Sequence, residues 1–159
     1  YAKTIDLSEN DPMFYSTYNR SSELKEFVEN RNNLIFRMKN IKYLPMNSLQ
    51  LSMMSMNFDL IWLDGAHGYP FIACDLINAI RLLKKNGFLL VDDVWKSRTN
   101  SHMHYRSIGG YETIVELKNA NLINDFYLFH KRLAGKFNYY GAQKFVAVMR
   151  RQNNKIGKF

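Results

Sequence analysis

The alternation of apolar and polar positions is sharpest between Phe58 and Trp95, FDLIWLDGAHGYPFIACDLINAIRLLKKNGFLLVDDVW. Phe58 to Leu63 is a short apolar run ending in Asp64-Gly65, the pattern of a buried parallel strand that runs into a loop. Ile72, Leu76, Ile80 and Leu83 then recur at spacings of four, four and three, one apolar stripe of a helix. Pro70 suits the first helical position, where a missing N–H costs nothing. Lys84-Lys85 are expected in the last turn, where cations complement the helix dipole, with Gly87 stopping the helix. Phe88 to Val91 is a second apolar run and ends in Asp92-Asp93. The pattern predicts strand, helix, strand, with parallel strands and a right-handed crossover. Asp64, Asp92 and Asp93 would then emerge at the carboxyl edge of one sheet, where open α/β sheets bind ligands.

The flanking chain follows the same logic with weaker patterns. Ala2 to Leu7 (AKTIDL) is a short strand containing Asp6 near its end. Ser8 to Asn19 is a polar loop with the turn signal Asp11-Pro12. Ser21 or Ser22 caps a helix reaching about Asn30, with Glu23 and Glu26 at its positive end and Leu24, Phe27 and Val28 on one face. Leu34 to Met38 is a strand candidate. Asn47 or Ser48 can cap a short Met-rich helix between Pro45 and Met56, whose methionines suit packing rather than metal binding. Lys96 to Arg106 is a polar, basic loop. Ile108, Tyr111, Ile114, Val115 and Leu122 mark an amphipathic helix, and Asp125–Phe129 and Lys144–Met149 are two late strands.

Composition narrows the picture. A chain of 159 residues, 47% hydrophobic, suits one domain with a real core, expected over 1–150, followed by a basic tail over 151–159. No apolar run reaches the length of a membrane span, and no secretory signal pattern is present. The single cysteine, Cys74, rules out an internal disulfide framework and a cysteine-based zinc site, and it fits a reducing, cytoplasmic setting. The formal charge of +8 favours contact with polyanions or acidic substrates; solvated lysines are the plainer explanation. Association of the chain with further copies of itself is left open.

The order of elements resembles the class I S-adenosylmethionine-dependent methyltransferases. Their fold is a Rossmann-like, mostly parallel sheet with helices on both faces and an antiparallel C-terminal hairpin. Asp64, Gly65, His67 and Tyr69 form D-G-x-H-x-Y after the expected fourth strand, and a Gly turn precedes the fifth. These features resemble the metal-dependent small-molecule O-methyltransferases, including macrocin O-methyltransferase-like sugar enzymes. The resemblance implies Mg²⁺ held by Asp64, Asp92 and Asp93, and S-adenosylmethionine contacted by Asp6, Asp64, Gly65 and His67. Asp6 matches the acid that accepts both ribose hydroxyls. The family's first strand and Gly-rich loop should precede Tyr1, and no G-x-G occurs in Tyr1 to Phe27. An N-terminally incomplete domain is therefore expected. Ala66 stands where some sugar enzymes place a catalytic Asp.

These residues suggest a definite chemistry. Mg²⁺ takes hard oxygen ligands and keeps positions for water or substrate, so it could bind a vicinal diol and lower the pKa of the hydroxyl to be methylated. His67, with Asp64 three residues before it, is the candidate catalytic base. The plainer alternatives are Asp64 and Asp92 as loop caps, His67 as a loop histidine bonded to backbone, Asp6 as a strand-end acid and Tyr69 as a packing or adenine-side residue. Lys96, Arg98, His102, His104 and Arg106 could grip an anionic substrate or lie exposed on a loop. The expected reaction is O-methylation of a small hydroxylated acceptor. The rivals are methylation of nucleic acid, which the basic charge suits, and a binding module that has kept the fold without catalysis.

Overall fold

The computed structural model describes residues 2–12, 14, 24–96, 107–130 and 144–152, and two units emerge, Tyr1–Met53 and Met54–Phe159. In the first, β1 (Ala2–Asp6) lies parallel to β2 (Ile41–Pro45), with Ala2 beside Ile41 and Asp6 beside Pro45. Pro45 has no N–H to give the ladder and occupies the last position of its strand. Between them runs α1 (Leu24–Arg37). Arg31 ties this helix to the strand ends. Its Nη1 donates to Asp6 Oδ2 at 3.1 Å and Leu7 O at 3.2 Å, and its Nη2 to Glu9 Oε2 at 3.2 Å. The same guanidinium lies 5.0 Å from the Tyr43 ring centre and 5.7 Å from that of Phe14. Tyr43 donates its hydroxyl to Leu7 O at 3.2 Å, and burial raises its pKa.

Leu34 to Arg37 is the last turn of α1 and not a strand. A short apolar run such as Leu34-Ile35-Phe36 does not distinguish the two by pattern, and a helix already under way gains a hydrogen bond with each added residue. Leu34, Phe36 and Met38 accordingly stand exposed, and the strand role passes to Ile41–Pro45. Asn47 caps as expected: its Oδ1 accepts the Leu49 N–H at 3.0 Å at the start of the 3₁₀ turn Ser48–Met53.

The second unit holds β3 (Phe58–Leu63), α2 (Phe71–Leu82), β4 (Leu83–Trp95), α3 (Gly109–Asn119), β5 (Ile123–His130) and β6 (Lys144–Arg151). The sheet order is β3-β4-β6-β5. β3 and β4 are parallel, and β6 runs antiparallel to both β4 and β5. Three strands of this sheet therefore share one direction, and the fold is the expected mixed α/β one with an antiparallel C-terminal pair. Helix α2 stops at Leu82, and Leu83 already pairs with Phe58. Lys84 and Lys85 consequently leave an irregular strand start instead of the last helical turn. Asn86 turns there at φ 64°. A Cβ on Gly87 would lie 3.0 Å from both Leu83 Cδ2 and Lys84 O and 3.1 Å from Asp59 O. At the other helix, Leu122 N–H reaches Leu117 O and Asn121 N–H reaches Lys118 O, both at 2.9 Å. With Asn121 at φ 57°, α3 ends in a Schellman motif.

The apolar stripe of α2 (Ile72, Leu76, Ala79, Ile80) and that of α3 (Ile114, Leu117) bury one face of the sheet, against Leu89, Val91, Ala147 and Met149. On the other face, Trp62, Leu90, Val148 and Tyr127 fall in one row by register. Trp62 and Tyr127 at the ends of that row are exposed. Among the described residues no helix is long and apolar enough to cross a membrane. The expected caps Ser21 and Ser22, the basic positions Arg98, His102, His104 and Arg106, and the tail from 153 onward lie outside the described residues.

Gly87→Ala should lower stability by about 1–3 kcal/mol, because two of the three close neighbours are backbone oxygens that cannot turn aside. Urea unfolding would measure this, and an unchanged midpoint would contradict the close approach.

Candidate active site

The carboxyl ends of β3 and β4 are neighbours because the two strands pair in phase from Ile61 beside Leu89 to Leu63 beside Val91. β3 ends directly before Asp64, and β4 carries Asp92 and Asp93. Its ladder to β6 slips there: Val91 pairs with Ala147 and Val94 with Phe145, so Asp92 and Asp93 together oppose the single Val146. This is a β-bulge. Asp93 adopts φ 53°, a left-handed conformation that short polar side chains such as Asp tolerate better than most.

The bulge gives the two acids different tasks. Asp92 is buried, and its Oδ1 accepts the Asp93 N–H at 2.9 Å. Asp93 Oδ2 instead faces His67 Nε2 at 3.8 Å and accepts a 2.6 Å ion-pair contact from Lys144 Nζ. Asp64 Oδ1 lies 3.5 Å from the same His67 Nε2, and the Asp64 side chain is half-exposed. His67 is thus set between two carboxylates, with its mostly buried ring approached from the open Asp64 side. His67 Nδ1 and the buried Trp95 Nε1 have no hydrogen-bond partner among the described residues. In this loop Gly68 is buried, and a Cβ on Gly65 would sit 3.2 Å from Asp75 Oδ2.

The structure does not show the expected metal site. Among the described residues no group of three or more His, Cys, Asp or Glu side chains is placed to hold a metal ion, so Asp64, Asp92 and Asp93 do not form that set. The cause is local: Asp92 turns back onto the bulge amide, and the Asp93 oxygen is already paired with an ammonium. A divalent ion on that same oxygen would sit about 4 Å from Lys144 Nζ, and at an effective dielectric of about 20 the two cations would repel by about 8 kcal/mol. The residues present do not fit the ion.

Of the remaining candidates, Asp6 belongs to the first unit, and Arg31 Nη1 and the Leu7 N–H hold its two oxygens. Tyr69 and Lys96 are exposed. Two residues escaped the sequence. Lys144 begins β6, and because that strand is antiparallel, its first residue arrives at the carboxyl edge of β4, beside Trp95. Asp75 is buried on α2 beneath Gly65; an acid one place before Leu76, on the stripe side of the helix, was the signal for it.

No protein-family model matches the chain, and no curated protein matches it. Solved structures match in fold. N-methyltransferase NodS from Bradyrhizobium japonicum WM9 aligns with a TM-score of 0.52 at 16% identity, over 94% of this chain and 72% of that one. Cofactor-bound Rv0187 from MTB gives 0.56 at 12%, over 96% and 62%. A methyltransferase homolog protein from Pyrococcus horikoshii gives 0.50 at 17%, over 94% and 52%. The fold is that of a methyltransferase. The chain covers from about half to nearly three quarters of these three structures.

Within that fold the bulge at Asp93 separates two contributions that one substitution would blur. Asp93→Gly and Asp93→Ala both leave Lys144 without its carboxylate, but only Ala must hold a left-handed backbone. Asp93→Ala should therefore be less stable than Asp93→Gly by about 1 kcal/mol in denaturant unfolding. Equal stability would show that the bulge relaxes when its carboxylate is removed.

Proposed function

We propose that the protein transfers a methyl group from S-adenosylmethionine to a hydroxyl group of a small-molecule acceptor. The observation that carries this reading is His67, a histidine held between Asp64 and Asp93 at the ligand-binding edge of a methyltransferase-type sheet. The donor is supported by the fold, and NodS has a structure in complex with S-adenosyl-l-homocysteine that aligns over 96% of this chain with a TM-score of 0.52. The bound cofactor would supply an electrophilic methyl group on a sulfonium centre.

The chain's own residues divide the remaining work. A hydroxyl oxygen becomes a competent nucleophile as its proton is drawn away, and imidazole is the side chain suited to that exchange near neutral pH. The distances of 3.5 and 3.8 Å from Nε2 to Asp64 and Asp93 leave that nitrogen without a tight partner before proton transfer. Gly65 keeps the loop close to α2. Asp6 is the residue suited to the cofactor's ribose hydroxyls: a carboxylate has about four acceptor positions, so one held by Arg31 can also accept a hydroxyl.

Calorimetry with S-adenosylhomocysteine and a labelled-methyl transfer assay test the proposal. His67→Ala should lower kcat by about 10²–10⁴-fold, and Asp6→Ala should weaken binding of S-adenosylhomocysteine. An unaltered rate in His67→Ala would remove the base assignment. Absence of any binding by the protein would overturn the cofactor assignment.

A further inference from the structure

We propose that Lys144 is a positioning residue whose fixed ammonium supplies at Asp93 the positive charge that a divalent ion would otherwise bring, so that the site works without metal. The proposal rests on the methyltransferase reading and adds to it both a residue and a broader class of acceptor.

Four features support it. The Lys144–Asp93 contact is 2.6 Å, and the two side chains are 16% and 15% exposed, so this is a largely desolvated ion pair and not a surface one. Lys144 is borne on a strand whose backbone is paired with Trp95, two residues past Asp93, which places its ammonium independently of any ligand. The Asp93 oxygen that Lys144 holds is the one facing His67 Nε2; the ammonium therefore sets the direction of a carboxylate that would act on the base. Lastly, Asp92 Oδ1 accepts the Asp93 N–H, so that oxygen is engaged by the backbone of the bulge.

The substitution of lysine for a metal has a chemical consequence. Mg²⁺ presents several open positions and can chelate two oxygens of one substrate. A monovalent ammonium already bonded to Asp93 cannot do so. The acceptor therefore does not need paired oxygens: a compound with a single hydroxyl should serve as well as a vicinal diol of similar size.

The test uses the full chain. Mn²⁺ alone, followed by electron paramagnetic resonance and calorimetry, should show no stoichiometric uptake by the wild-type protein, and methyl transfer should be unchanged in excess EDTA. Lys144→Met should lose at least about tenfold in kcat with little change in KM, the mark of a misdirected catalytic group, and Lys144→Arg should recover part of the loss. Stoichiometric Mn²⁺ uptake abolished by Asp93→Asn, or full kcat in Lys144→Met, would overturn the proposal. If Lys144→Met does not fold by circular dichroism, the wild-type Mn²⁺ and EDTA measurements still decide. If no methyl transfer is found at all, the methyltransferase reading fails while Mn²⁺ uptake continues to judge Lys144 separately.

Discussion

The extra residue in β4 is the constraint on which the rest of the site depends. From Leu89 to Val91 the strand alternates strictly, and unbroken alternation would set Val94 on the face of Leu90. Val94 instead belongs to the buried cluster with Leu89 and Val91, opposite Phe145. The bulge recovers that burial and frees Asp92 and Asp93 from the alternation in the same step. Packing of Val94 and Trp95 below and the placement of the carboxylates above are thus two outcomes of one local irregularity. The left-handed Asp93 backbone is tolerated because its amide is satisfied by Asp92.

The polar groups at this edge also depend on one another. A buried carboxylate needs a compensating charge, and Asp93 finds one in Lys144, which is itself largely buried. Removing either takes away a 2.6 Å partner of the other. Arg31 performs the same service in the first unit, where one guanidinium answers Asp6, Glu9 and the Leu7 carbonyl while lying over the Tyr43 ring. Both arrangements join elements far apart in sequence, and both use a single cation to hold more than one acceptor or direction.

What the sequence revealed and what it hid follows from the range of each interaction. The strand–helix–strand centre was legible because its apolar positions repeat with the period of each element, and the parallel pairing of Phe58–Leu63 with Phe88–Val91 followed from the short helical connection. That Asp64, Asp92 and Asp93 lie at the ends of neighbouring strands was legible for the same reason; the approach of His67 to Asp93 was not. The bulge was not, since nothing in the letters DD says which residue is extra; it is defined only by the partner strand. Lys144 was hidden because its contact depends on a strand pairing that no local pattern encodes. The end of α1 was misjudged where Leu34-Ile35-Phe36 suits a helix and a strand equally, and Asp75 stood beside the apolar stripe without being singled out.

The position of β6 between β4 and β5 has a bearing on how the molecule forms. In the described sheet β4 and β5 have no edge in common, and each pairs with β6, which comes later in the chain than both. Closing this sheet therefore requires contacts of long sequence separation, which slow folding because the entropy of the intervening chain is lost before the contacts repay it. Until β6 arrives, β4 has one unpaired edge and β5 has two, and exposed edges invite pairing with other chains. The same delay applies to chemistry. Lys144 reaches Asp93 only when the sheet closes, so a nascent chain can hold a folded β3–α2–β4 segment and still lack the cation at its future site.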